Sequence, residues 1–300
     1  MDVRTRSSVR VAALGVALLS AGWAFAQSES RGAQEPNHRS RGRASCQGLP
    51  SYAQLKAALE AAVATETSGL NNHMWATIVN RDGVVCAVAF SGADRAAQWP
   101  ASRVISAQKA NTANSLSLDH TSFSGGSGQA DGLALSTANL YSAVQPGGSL
   151  YGLQHSNPVD PGVGYEGPSQ LYGTANDPMV GEKIGGVNVF GGGLALYNQE
   201  KRVVGGLGAS GDTSCADHNI AYRTRNALNL DYVPAGVAGG TKKDNIIFDI
   251  VPQGGGDAAP GAGQMPGVSA SGFGHVSCHG YNVAGNATSA GFAAALPDTK

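Results

Sequence analysis

The chain has 300 residues, a formal net charge of −1 at pH 7 and 14% charged residues. That length holds one substantial domain with extra segments. The balanced charge gives no support for nucleic-acid or acidic-lipid binding, which depend on basic patches.

Arg4, Arg6 and Arg10 precede the apolar run Val11–Leu19, and Ala24-Phe25-Ala26 offers small residues at the −3 and −1 positions of a cleavage site. This is the pattern of a signal peptide over residues 1–26. The run is well short of the ~20 residues of a membrane-spanning helix, and no later stretch is apolar enough to span. The expectation is a periplasmic or secreted protein with no membrane span. Losing the signal removes three arginines and one aspartate, so the mature chain is mildly acidic. Residues 27–47, polar and Ser/Arg-rich to Arg43, read as a flexible leader.

Leu55, Ala58, Leu59, Ala62 and Val63 then form a helical apolar stripe. Met74–Val79 and Val84–Phe90 read as strands around Asn80-Arg81-Asp82-Gly83, a tight-turn sequence because glycine permits positive φ. Ser102 is expected to cap a second helix carrying Val104, Ile105, Gln108, Thr112 and Leu116. Asp119–Lys183 is a long Gly/Pro/Asn/Ser-rich insert, with a short helix expected within Leu133–Val144 and a strand at Leu150–Leu153. An irregular segment of that length usually serves as a lid, pocket wall or subunit contact.

The grammar then repeats. Leu194–Tyr197 and Val203–Ala209 read as strands reversed by Asn198-Gln199-Glu200-Lys201. A loop from Ser210 to Thr213 leads to Ser214 and Asp217, which fit an S-x-x-D capping box. The helix that follows carries Ile220, Ala221, Thr224, Ala227 and Leu228, and ends between Asn229 and Pro234. Beyond Pro234, Asn245–Val251 is strand-like, Gly254–Gly267 is linker in composition, Ser269–Asn286 is expected to dock back, and the chain beyond Ala287 to fray. Two hairpins, each with a covering helix, predict an α/β fold of the α+β type. Its central, mainly antiparallel sheet would have about five strands flanked by helices over residues 48–234, with 235–300 as a tail.

Three stretches carry a resemblance: GADRAAQWPASRVISAQKANTAN (residues 92–114), NLYSAVQPGGSLYGLQHSNPVDP (139–161), and GGVNVFGGGLALY followed by VVGGLGASGDTSCADHNIA (185–221). Together they resemble the GlcG/HbpS heme-binding family over roughly residues 49–234. The resemblance implies a profilin-like layout and non-covalent heme binding, for carriage, storage or sensing rather than catalysis. It leaves open an enzyme acting on a hydroxy- or oxo-acid, since relatives occur in glycolate metabolism contexts, and an accessory module of a periplasmic redox system. Heme or a small carboxylate is the implied ligand, and a homo-oligomer is compatible with it.

The resemblance points to no iron ligand, so the residues must be weighed singly. Neutral imidazole is a common axial ligand, and the mature chain offers His38, His73, His120, His155, His218, His275 and His279. His218, in the first turn of the helix after the glycine loop, is the expected metal ligand, set against a plain surface histidine. His155 and His120 lie in the insert, where they would line a pocket. Ser210 and Gly211 would offer backbone donors to a propionate or carboxylate at a helix N-terminus. Of Arg103 and Lys109, six apart on one helix, one would face solvent and the other the anion.

Competing patterns are weaker. His275-Val276-Ser277-Cys278-His279 lacks the first cysteine of C-x-x-C-H heme attachment. Gly206–Gly211 spells G-x-G-x-x-G, but after a hairpin strand rather than within a parallel β-α-β unit. Gly208–Asp212 misses the last glycine of G-x-S-x-G, and Ser210, Asp212 and His218 sit too close in sequence for a triad. The four cysteines, Cys46, Cys86, Cys215 and Cys278, suggest two disulfides in an oxidising compartment. Three connectivities exist, and chain position favours Cys46–Cys86 and Cys215–Cys278. With no C-x-x-C pair, zinc is the lesser reading.

Overall fold

The computed structural model describes residues 39–120, 132–250, 268–278 and 289–300. The expected signal peptide, the leader up to residue 38, the Gly254–Gly267 linker, His38 and His279 lie outside these. Within 39–47, residues 39–44 are helical, and Arg39 pairs with Glu166 and Glu182.

Helix α1 (Tyr52–Ala64) starts at a complete capping box, in which Ser51 accepts from Gln54 N and the Gln54 side chain answers the Ser51 N–H. Strands β1 (Trp75–Asn80) and β2 (Val85–Phe90) pair antiparallel, with a register shift after Ile78. Strands β3 (Gly193–Tyr197) and β4 (Val203–Ser210) form the second hairpin, and β4 pairs antiparallel with β1. The sheet therefore reads β2-β1-β4-β3. Both expected hairpins are present, and the antiparallel pairing of β4 excludes the dinucleotide reading of its glycines.

Among the described residues the sheet has four strands, against about five expected. Leu150–Leu153 is not a strand, because positive φ at Gly147 and Gly152 rolls this segment into turns and a short 3-10 helix at Leu153–His155. Residues 245–250 bury Ile246 and Ile250 without a ladder, making one isolated bridge from Ile250 to Ser269.

Side chains alternate across the sheet. Ala76, Ile78, Ala87, Ala89, Leu194, Leu196, Leu207 and Ala209 face α1 and helix α3 (Ser214–Ala227) in one core. Trp75, Val79, Val85 and Val88 face helix α2 (Ser102–Leu116) and Met179, Val180 and Ile184 of the insert in another. The result is a three-layer sandwich. Helix α2 lies unusually close to β4: a Cβ on Gly208 would stand 1.9 Å from Ser106 O, and one on Gly206 would stand 2.2 Å from Ala110 O. Only glycine permits that approach.

Three local expectations need correction. Ser102 lies inside α2; Ala101 is the N-cap and gives no side-chain bond. The cap of α3 is Thr213, whose hydroxyl accepts from Ala216 N, which frees Asp217 to turn inward. The end of the chain does not fray from Ala287: helix α4 (Ser289–Ala294) forms, with Ala293 and Leu296 buried. Helix α3 ends at its C-cap Leu228, and Asn229, one of the expected stops, follows in a left-handed conformation at φ 57°. Both favoured disulfides are present, Cys46–Cys86 and Cys215–Cys278. The second anchors residues 268–278, whose His275 N–H also bonds Ile247 O at 2.7 Å.

Candidate functional site

Ser210, Gly211, Lys109 and Asp217 converge where β4 meets α3. Lys109 is wholly buried and donates to Asp217 Oδ2 at 2.6 Å, Ala209 O at 3.2 Å and Ser210 Oγ at 3.3 Å. Its ammonium lies 3.6 Å from the centre of the Phe190 ring. The other Asp217 oxygen accepts from Gly211 N at 3.1 Å and Asp212 N at 2.8 Å. Burial raises the Asp217 pKa to about 6 and lowers that of Lys109, each against the attraction of its partner. The loop's N–H groups thus face a carboxylate of the protein itself, not open space, and the cluster is electrically closed.

Arg103 is also buried, not solvent-facing. It grips Asp177 with two nitrogens, donates to Gly164 O at 2.7 Å, and stacks 3.7 Å from the Tyr172 ring centre. Asp177 in turn accepts from Gly173 N and Met179 N. Arg103 is therefore the peg on which residues 164–179 of the insert hang. It sets Tyr165 and Tyr172 beside Trp75, Arg95, Pro100 and Ala101, and these six line a cavity of about 280 Å³. The Tyr172 hydroxyl donates within the insert, to Tyr165 O at 2.9 Å. Trp75 forms a buried wall, with its Nε1 donating to Trp99 O at 3.0 Å. Tyr165 is 63% exposed at the rim.

His218 is not on the surface. The Ile246 N–H points at its Nε2 at 3.1 Å, Asn245 Oδ1 lies 3.1 Å from the same nitrogen, and Nδ1 has no partner among the described residues. Burial lowers its pKa to about 4, so the imidazole is neutral but committed to the 245–246 turn. His155 is exposed in its 3-10 turn and is not brought to any of these clusters. His275 is buried, with Ser214 Oγ 2.7 Å from Nε2 and Val276 O 2.6 Å from Nδ1. Cys278 is bonded to Cys215, so it offers no thiol for heme attachment. Ser210, Asp212 and His218 form no triad, since Ser210 meets Lys109 and Asp212 accepts from Leu70 N and Asn72 N.

Sequence reasoning missed Trp75, Arg95, Tyr165 and Tyr172 as a group. Its one usable signal was the insert itself, an aromatic-bearing irregular segment in need of a purpose.

The fold and its site define a class: a four-stranded antiparallel α/β/α sandwich whose long insert roofs an aromatic cleft. Within that class the chain belongs to the HbpS-like family, described as haem degrading protein HbpS-like, whose model matches residues 51–225. The chain is similar to the crystal structure of Klebsiella pneumoniae protein ORFY of family DUF336, at 25% identity and TM-score 0.37, covering 59% of this chain and 86% of that one. It is also similar to the structure of a PduOC:heme complex, at 22% identity and TM-score 0.38, covering 59% and 91%. None of the curated proteins compared with the chain matches it.

Proposed function

We propose that the protein is exported and binds heme non-covalently outside the cytoplasm, for carriage, storage or sensing, and that the heme sits at the aromatic cleft. The observation that carries this reading is the cleft's composition. Trp75, Tyr172 and Pro100 supply flat apolar walls, Arg95 supplies a cation for a propionate, and the exposed Tyr165 supplies a phenol oxygen. At about 280 Å³ the cavity is smaller than the ~300–1,000 Å³ of enclosing ligand pockets. A tetrapyrrole would therefore enter by one edge and lie across the rim. Heme, when bound, supplies an iron whose axial ligand tunes its electronic state. The chain's residues pack its ring, hold its carboxylate and offer an oxygen. The family's description as haem degrading supports the ligand class. Export is supported by the residue 1–26 pattern and by two disulfides, which persist in oxidising compartments.

Titrating heme into the mature protein should give a saturable shift of the heme absorption band at one heme per chain. Arg95→Glu should weaken binding about tenfold or more, since each 1.4 kcal/mol is a factor of ten. Tyr165→Phe should move the band. Absence of a saturable shift overturns heme binding; a shift untouched by either variant overturns the placement. N-terminal sequencing of the secreted protein should begin at Gln27, and a start at Met1 refutes export by this signal.

A further inference from the structure

Cys215, Cys278 and His275 stand together at the joint between α3 and the docked segment 268–278. Their ligand-bearing atoms all lie within 4.8 Å of one another. Residues 63 positions apart are brought there by the docking of the tail, so no sequence spacing announces the group. We propose that these three residues form a redox-gated metal site, shut while the Cys215–Cys278 bridge is intact and open to a borderline-soft divalent ion such as zinc once it is reduced.

The chemistry of the donors points to that class of ion. Two thiolates and an imidazole are a zinc donor set, and bonds of ~2.0–2.3 Å in a tetrahedral site put ligand atoms roughly 3.5–3.8 Å apart. Reduction breaks the S–S bond and lets the two sulfurs move apart to that spacing, with the His275 ring nitrogen already within 4.8 Å of both. Cys215 is the second residue of α3, where the helix N-terminus favours a thiolate. The Cys215 N–H also points at Cys278 Sγ at 3.2 Å, a donor that stabilises negative charge on that sulfur. Val276 O holds one ring nitrogen of His275 at 2.6 Å, the kind of partner that orients a ligating imidazole. Ser214 Oγ meets the other at 2.7 Å, and a hydroxyl can rotate away to admit the ion. Cys215 and His275 are both 2% exposed, so the ion would be shielded, with a water in the fourth position.

The opening step balances. An external dithiol passes two electrons and two protons to the Cys215–Cys278 bond, which breaks to two thiols while the dithiol closes to its own disulfide. Metal entry then displaces the two thiol protons to solvent. The ion takes over the task of the bridge and keeps the tail docked.

Cobalt(II), whose thiolate complexes absorb strongly in the near ultraviolet, tests the site on the mature protein before and after phosphine reduction. The reduced protein should bind cobalt with thiolate-to-metal absorption that zinc displaces, and the oxidised protein should show none. Cys278→Ser should abolish the tail-site absorption, leaving only whatever Cys46 and Cys86 contribute. His275→Ala should weaken cobalt binding about tenfold or more. Far-UV circular dichroism follows the fold throughout. The proposal is overturned if reduced protein shows no such absorption, whether folded or unfolded. It is equally overturned if Cys278→Ser or His275→Ala matches the reduced wild type.

Discussion

Replacing His218 with glutamine tests both its burial and its role. The imidazole is fully buried against Tyr222, with Asn245 and Ile246 on its Nε2 side. The charged groups that act on it are Asp244, which favours its protonation, and Arg225 and His275, which oppose it. Desolvation outweighs them all and takes its pKa from 6.5 to about 4. In the unfolded chain the ring takes up its proton near 6.5, so between 6.5 and 4 the unfolded state binds more protons and stability falls as pH falls. At about 1.4 kcal/mol per pKa unit, that window holds roughly 3 kcal/mol, fully lost once the pH is below the folded value. Glutamine keeps an acceptor for the Ile246 N–H but cannot be protonated. Urea melts from pH 7.5 to 4 should show the wild type losing up to roughly 3 kcal/mol more than His218→Gln. Asp217, whose raised pKa gives the opposite slope, is present in both proteins and drops out of the difference. Parallel stability curves, or an imidazole NMR titration centred near 6.5, would refute the reasoning. Heme binding should be unaltered in His218→Gln, because its nitrogen belongs to the fold.

Lys109→Met leaves the Asp217 carboxylate buried without its cation, and unfolding in urea should show a loss of about 3–5 kcal/mol; a loss under about 1 kcal/mol would mean the pair behaves as an exposed one. Gly208→Ala places a methyl 1.9 Å from Ser106 O, so α2 must lift from β4 at a cost of about 1–3 kcal/mol or more. An unchanged melting temperature would refute the close contact.

The sheet was legible because each hairpin announces itself twice, by apolar β-branched runs and by the turn residues between them. Asn80–Gly83 and Asn198–Lys201 lie where expected, with Gly83 at φ 78° and Lys201 at φ 57°. Strand number was overcounted because an apolar run predicts burial and not a ladder. Ile246 packs with Cys215 of α3, Ala138 and Ala293, and Ile250 makes an isolated bridge to Ser269, with no ladder along them among the described residues. The caps slipped by one residue, since serine or threonine can occupy the N-cap or the next position, and only backbone geometry chooses. Helix α2 shows no clean stripe because it is covered on both sides, by β4 through Gly206 and Gly208 and by the insert. Its polar residues are buried with partners: Asn111 donates to Gly186 O, and the Ser106 and Thr77 hydroxyls meet at 2.7 Å.

The site was far less legible, and the reason is electrostatic. A sequence shows cations but not the carboxylates assigned to them. Arg103 finds Asp177 74 residues away, Lys109 finds Asp217 108 away, and Arg225 finds Asp244, all fully buried. A ligand anion seeking one of these cations would have to displace a carboxylate and strand it without water, a penalty of about 3–5 kcal/mol for a broken buried pair. The three pairs therefore hold the sandwich and its insert in place. On the proposed placement of the heme, anion recognition would fall instead to a cation that keeps its solvent, and among the residues lining the aromatic cleft that is Arg95. Arg103 would serve that ligand only through Tyr172 and Gly164, as the peg that holds the cleft's wall at its place.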